Sequence, residues 1–352
     1  MHFENVVIQH FGYALGPNTL TSGGIEERLA PMYQRLKLPE GRLEHMTGIK
    51  ARQFWERGTT ASQASTFAAE NLLAKTGYPK DEIELLIHSA VSRDRLEPAT
   101  AAYVHKNLGL PKHTQILDVS NACLGFLNSI LLVAGLIETR QIRNALIVAG
   151  ENGQPLVEHT IDLLLQPHHT RKSIKPYFAN LTIGAGAVAA ILTHRDQIAG
   201  QTALEIGAAT LLTDTSHNHL CEGDTSAGGS QSLEMQTDSE ELLHAGIALA
   251  KNNWENFKKT SGWNESTPEH LVTHQVGRAH QRILYETLGL EESKDFSTYP
   301  DLGNIGSVSL PITLAKALEQ GVIGEGANAA LLGIGSGLSS IMIGVTNKRF
   351  TT

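Results

Sequence analysis

Two stretches decide the fold: NACLGFLNSILLVAGLIE, residues 121–138, and NIGSVSLPITLAKALE, residues 304–319. Each opens in a polar or glycine-marked turn and runs on as an apolar helical pattern. Cys123 and Glu138, like Asn304 and Glu319, stand 15 residues apart. Their neighbours match as well. ELLIH, ending at His88, precedes the first stretch, and NALIVAG, starting at Asn144, follows it. HLVTH, ending at His274, precedes the second, and NAALLGIG, starting at Asn328, follows. Three matches in register predict a duplicated strand–loop–helix–strand unit, with halves at 1–195 and 196–352 and a boundary near 193–203.

The rest of the chain agrees with an α/β fold. Short apolar runs at 84–90, 145–150, 187–192, 271–274 and 329–334 have the length and β-branched content of buried strands. Between them, 59–75 and 240–259 carry helical spacing. QILDVS at 115–120 also reads as a buried strand. The 352 residues are 41% apolar and 18% charged, a globular composition with room for two domains or one duplicated architecture.

Charge and cysteine content narrow the function. Lys and Arg number 28 against 36 Asp and Glu, a formal net charge of −8. That balance argues against nucleic acid as the main partner, since phosphate contacts need a basic face. Two cysteines, Cys123 and Cys221, cannot build a disulfide framework, which suits a reducing compartment. The opening residues lack the basic n-region and apolar stretch of a secretion signal, and no apolar run approaches the ~20 residues of a membrane span. The expectation is a cytoplasmic protein with no membrane span.

Three positions carry chemistry. Cys123 falls between the strand-like 115–120 and the apolar helix at 124–137, at a strand-to-helix turn. There the unpaired amides and the helix dipole are expected to favour thiolate and lower the thiol pKa. His274 ends a strand-like run, the place where open α/β sheets bind ligands. Asn304 lies in the glycine-bracketed turn GNIGS, the second half's counterpart of the cysteine turn. Taken singly, Cys123 reads as a packing residue, His274 as a satisfied histidine and Asn304 as a helix cap. If the halves pack about a pseudo-twofold axis the three converge, giving a nucleophile, an imidazole and an amide donor suited to a thioester or enolate.

Three other features have simpler readings. His217, His219 and Cys221, in the Ser/Gly/Asp-rich stretch 214–232, have a spacing that could hold zinc, but no second ligand cluster follows and an exposed loop is the simpler reading. Arg171, Lys172 and Lys175 read as a solvated basic face, or alternatively as a rim for an anionic cofactor tail. Gly333, Gly335 and Gly337 in LLGIGSGLSS join two apolar runs at the C-terminus, so a tight hairpin is preferred to a nucleotide loop.

These motifs resemble the thiolase superfamily, in its β-ketoacyl-ACP synthase III-like branch. SNACLGF is similar to that branch's nucleophile loop, HQVGRAH to its histidine motif, GNIGSVSLP to its asparagine motif, GIGSGL to its C-terminal glycine turn and TGIKAR (47–52) to its early motif. Within the branch, 20–36, 89–101 and 218–224 most resemble OleA-type enzymes, which join two fatty acyl-CoA molecules head to head in long-chain olefin biosynthesis. The resemblance implies a five-layered αβαβα fold and a homodimer. It implies Cys123 as acylated nucleophile, His274 and Asn304 as its partners, and an oxyanion hole from the amides of Cys123 and Ser336. It also implies that Glu97, in LEP, is the base that removes an α-proton, reaching the active site of the other subunit. The product implied is a β-keto acid, with acyl-CoA as substrate, no metal and no separate cofactor, and downstream pathway enzymes as possible partners. The competing readings are a decarboxylative synthase using malonyl-ACP, a non-catalytic acyl-binding subunit, and a simple thioesterase.

Overall fold

The computed structural model describes residues 1–223 and 234–351. Nine strands form its main sheet: β1 Val6–Ala14, β2 Leu85–His88, β3 Gln115–Asp118, β4 Asn144–Asn152, β5 Ala185–His194, β6 Thr202–Thr213, β7 His270–Thr273, β8 Asn328–Gly335 and β9 Ser339–Arg349. Six longer helices position the site: α1 Ala61–Thr76, α2 Thr100–Leu108, α3 Gly125–Glu138, α4 Ser239–Ser261, α5 Arg278–Leu288 and α6 Ser309–Glu319.

The strand order is β7-β8-β9-β6-β1-β5-β4-β2-β3. Outward from the middle, β1-β5-β4-β2-β3 and β6-β9-β8-β7 follow the same permutation. Each half has parallel pairing near its edge (β4 with β2, β8 with β7) and antiparallel pairing inside (β4 with β5, β8 with β9). An isolated parallel bridge from Leu271 to Asp295 stands where a counterpart of β3 would lie. The halves meet at a narrow seam, where β1 and β6 share only the pairs Val7–Glu205 and Ile8–Leu204.

Strand alternation builds the layers, because successive side chains point to opposite faces. On β4, Ala145, Ile147 and Ala149 face a central core shared with Phe126, Ile130 and Ala134 of α3 and with Leu310, Ile312 and Leu314 of α6. Leu146 and Val148 face an outer core with α1 and α2. In the second half, Leu331 of β8 and Ile341 and Ile343 of β9 join the central core. Leu332 and Met342 face Trp254, Phe257 and Tyr285 of α4 and α5. Outer helices, sheet, central helices, sheet, outer helices: the five expected layers are present.

The strand-like runs read from the sequence all form strands, and 59–75 and 240–259 lie within or beside α1 and α4. The run 115–120 needs correction. It is a strand only over Gln115–Asp118 and is not buried, because β3 is the sheet's edge and Ile116 is 40% exposed. The stretch 214–232 is not simply a loop. Thr215–Leu220 forms a 3-10 turn holding His217 and His219, and Cys221–Gly223 pairs with Met235–Thr237; 224–232 lies outside the described residues. Among the described residues, no group of three His, Cys, Asp or Glu side chains is placed to hold a metal ion, and no helix is long and apolar enough to cross a membrane.

Arg171 is not free for an anionic ligand. Its Nε and Nη2 donate to the carbonyls of Leu36 and Lys37, both at 2.6 Å, closing the end of the helix Ala30–Leu36. Arg35 of that helix returns the favour, donating to the carbonyls of Gln166, Pro167 and His169. Lys172 and Lys175 stay exposed.

Candidate active site

The nucleophile candidate sits on a strained elbow. After β3 the chain turns through Ala122, which adopts φ 43°, a left-handed conformation uncommon outside glycine. The turn is closed by the Leu124 amide donating to Asn121 O at 2.9 Å, and Asn121 Nδ2 donates to Asn128 Oδ1 at 2.9 Å. Cys123 therefore stands immediately before α3. The glycine beside it is not demanded by space, since a Cβ at Gly125 would meet Ser89 O and Val119 O at an ordinary 3.4 Å.

The pKa expected at this elbow is corrected. Burial pushes the Cys123 thiol up to about 12, and the neighbouring Cys221 and Glu151 add to the rise. Desolvation outweighs the helix N-terminus at this half-buried residue, so the resting group is a thiol.

The hairpin joining β8 to β9, with its turn at 336–338, is the glycine turn read from the sequence, and it is a hairpin rather than a nucleotide loop. It packs against the elbow. A Cβ at Gly335 would stand 2.8 Å from Leu124 Cγ and 3.6 Å from the Cys123 amide nitrogen. Ser336 is the next residue and is half-buried.

His274 follows β7, and its amide donates to Leu332 O of β8 at 3.2 Å. Its side chain is 6% exposed, and Nδ1 has no hydrogen-bond partner among the described residues. Burial, reinforced by nearby His280, lowers its pKa to about 3, and burial lowers that of His280 to about 4. The imidazole is therefore neutral at physiological pH. The next residue locks the turn: Gln275 Oε1 accepts from the amides of Thr298 and Tyr299 at 2.8 and 3.1 Å, tying it to the segment that leads to Asn304.

Asn304 is held from three sides. Its amide donates to Thr182 O at 2.9 Å, and its carbonyl accepts from Gly184 at 2.8 Å, both in the first half. Its Oδ1 accepts from the Gly306 amide at 3.0 Å and the Ser309 hydroxyl at 3.4 Å. With the oxygen occupied, Nδ2 is the atom presented to a ligand. Arg52, the last residue of TGIKAR, explains the early motif. It is fully buried beneath this turn, and Cβ atoms at Gly184 and Gly303 would both meet its Cβ at 3.3 Å. Its Nη1 donates to Ser22 Oγ at 3.2 Å, and burial lowers its pKa to about 10, so it stays charged.

Among the described residues, Glu97 makes no hydrogen bond or ion pair with Cys123, His274 or Asn304. It lies on an exposed loop between β2 and α2, before a cis Pro98 and beside Leu96, which is 83% exposed. The loop is nonetheless staked at both ends. Asp94 accepts from the Ser62 amide and hydroxyl at 2.9 and 2.6 Å, and Asp118 accepts from the amides of Thr100 and Ala101 at 2.7 and 2.8 Å.

Sequence reasoning missed Glu151, a 6% exposed carboxylate at the carboxyl end of β4. Its signal was present: a charge directly after the uninterrupted apolar run ALIVAG. His88, the first-half counterpart of His274, is also buried, with Nε2 unpartnered among the described residues and burial lowering its pKa.

Comparisons with known proteins follow this geometry. Residues 259–345 match the family described as 3-oxoacyl-[acyl-carrier-protein] synthase III C terminal. Over 348 residues the chain is 37% identical to an acyl-CoA:acyl-CoA alkyltransferase of Shewanella oneidensis, covering 98% of this chain and 99% of that one. It is 27% identical to a β-ketoacyl-[acyl-carrier-protein] synthase III of Rhodospirillum rubrum, covering 95% and 96%. The crystal structure of cerulenin-bound OleA from Xanthomonas campestris superposes with a TM-score of 0.93 at 36% identity, covering 98% of both chains. Solved variants of that enzyme replace a glutamate, a cysteine or a histidine.

Proposed function

Because the chain belongs to the acyl-CoA:acyl-CoA alkyltransferase (OleA) family of thiolase-fold condensing enzymes, we propose that it joins two fatty acyl-CoA molecules without decarboxylation. Full-length similarity to proteins named for that reaction carries the proposal. Cys123 attacks the first acyl-CoA, forming a thioester and releasing CoA. An α-proton is then removed from one acyl group, and the carbanion attacks the other thioester. Water finally cleaves the remaining thioester, so that two acyl-CoA and one water give a 2-alkyl-3-oxo acid and two CoA.

Each role rests on a property of its residue. The amides of Cys123 and Ser336, on facing turns, form the oxyanion hole. Neutral His274 and the Nδ2 of Asn304 are donors for the enolate oxygen. No simple side chain matches the basicity of a carbanion, so α-proton removal needs both a carboxylate and this oxyanion stabilisation. We assign the carboxylate to Glu97. The glutamate and cysteine replaced in the Xanthomonas variants stand 26 residues apart, as Glu97 and Cys123 do.

Glu97 serves the other subunit of a homodimer. Two features support this: β3 is an open sheet edge with Ile116 exposed, and the bulky Leu96 beside Glu97 is bare in one chain. The equal strand permutations on either side of the β1–β6 seam support reading 1–195 and 196–352 as a duplication. We place the reaction in the cytoplasm, with acyl-CoA as substrate and no separate cofactor; its β-keto acid would pass to olefin-forming enzymes.

Product analysis with acyl-CoA alone and with added malonyl-ACP tests the reaction. A 2-alkyl-3-oxo acid without CO2 release is expected; product only with malonyl-ACP would replace the proposal by a decarboxylative synthase. Cys123→Ala should abolish turnover and the acyl adduct seen by intact mass. Glu97→Ala should abolish condensation while leaving acylation of Cys123 in place, and turnover near wild type in either variant would refute the role of that residue.

A further inference from the structure

Four hydrogen-bond donors from two loops converge on the carboxylate of Glu151. The amides of Val91 and Ser92 donate to Oε1 and Oε2, both at 2.9 Å. The Ser307 amide and hydroxyl donate to Oε1 at 3.3 and 2.7 Å. Val91 and Ser92 begin the loop that carries Glu97; Ser307 belongs to the turn that carries Asn304. The strand end beneath is fixed as well, since the Asn152 amide donates to Ser92 Oγ at 3.1 Å and Trp55 Nε1 donates to Glu151 O at 3.0 Å. Packing is close: a Cβ at Gly306 would stand 3.1 Å from Glu151 Oε1.

Three of these donors converge on Oε1 and one reaches Oε2, and all four come from the two loops, so the carboxylate is committed to holding them. Its geometry is that of a clamp.

We propose that Glu151 is a positioning residue for carbon–carbon bond formation, holding the Glu97 loop and the Asn304 turn in one fixed relation. The proposal rests on the roles given above to Glu97 and Asn304. If Glu97 works in the partner's site, the clamp ties what one subunit donates to what it keeps. A buried carboxylate is costly without such donors, and each charge-assisted bond is stronger than a neutral one, so the clamp is stiff.

Glutamine is the informative replacement. Its amide oxygen can keep the three donors at Oε1, but its NH2 then faces the Ser92 amide, donor against donor. The Glu97 loop loses its hold while shape is retained. In the full-length protein, E151Q is expected to acylate Cys123 within about twofold of wild type in a single turnover. Steady-state product formation should fall about 10- to 100-fold, in kcat rather than KM. S307A, which removes only the hydroxyl contact, should show a smaller loss confined to the same step.

Acylation and condensation falling together, or wild-type product formation in E151Q, would each overturn the proposal. Should E151Q fail to fold, S307A decides it by the same split between half-reactions. Failure of the underlying reading is separate: it appears as condensation retained in Glu97→Ala, whatever Glu151 does.

Discussion

Replacing His274 with glutamine should flatten the acid limb of the protein's stability profile. The imidazole is 6% exposed and its pKa is lowered to about 3, against 6.5 in an unfolded chain. Between those values the unfolded state binds a proton that the folded state refuses. The folded form therefore keeps its full advantage above pH 6.5 and loses it progressively as pH falls toward 3. Worked through the linkage relation, this one group removes about 2 kcal/mol between pH 7.5 and pH 5, and about 3 kcal/mol by pH 4. The assay is denaturant unfolding of wild type and His274→Gln at both pH values. His280, which titrates in both proteins, cancels in the comparison. Wild type should lose about 2 kcal/mol more than the variant on going to pH 5. Parallel losses, equal within about 0.5 kcal/mol, would mean the imidazole protonates in place and the pocket around it is wet, refuting the neutral donor used in the mechanism.

Two further outcomes follow from packing. Gly335→Ala should cost about 1–3 kcal/mol in denaturant unfolding and slow acylation, because its Cβ, 2.8 Å from Leu124 Cγ, forces the residue next to Cys123 to move; wild-type acylation would show that the hairpin does not shape the elbow. Ile116→Asp, placing a charge on the open edge of β3, should shift the protein toward monomer by light scattering and reduce condensation before acylation; an unchanged oligomer would remove that edge from the interface.

The candidate site is legible as a pattern because chemistry and periodicity coincide in it. Cys123 and Asn304 each stand before an apolar helical run at matching points of the two halves, and His274 ends an apolar run, so position in the pattern marks them as candidates. Two errors share one cause, the neighbours that a single stretch of sequence does not reveal. Composition alone makes 115–120 look buried, yet among the described residues β3 has no strand on its far side. The helix start alone would acidify the Cys123 thiol, but desolvation and the nearby Cys221 and Glu151 raise its pKa instead. Glu151 escaped notice because its four partners come from loops about 60 and 156 residues away.

The support of Asn304 limits how the molecule can be recombined. The carboxamide belongs to the second half of the chain, but Thr182, Gly184 and, through Ser307, Glu151 of the first half hold its turn in place. A chimera spliced at the seam between β5 and β6 would inherit the asparagine without its cradle unless residues 151 and 182–184 travelled with it. The two halves follow the same strand permutation, but they are not interchangeable parts.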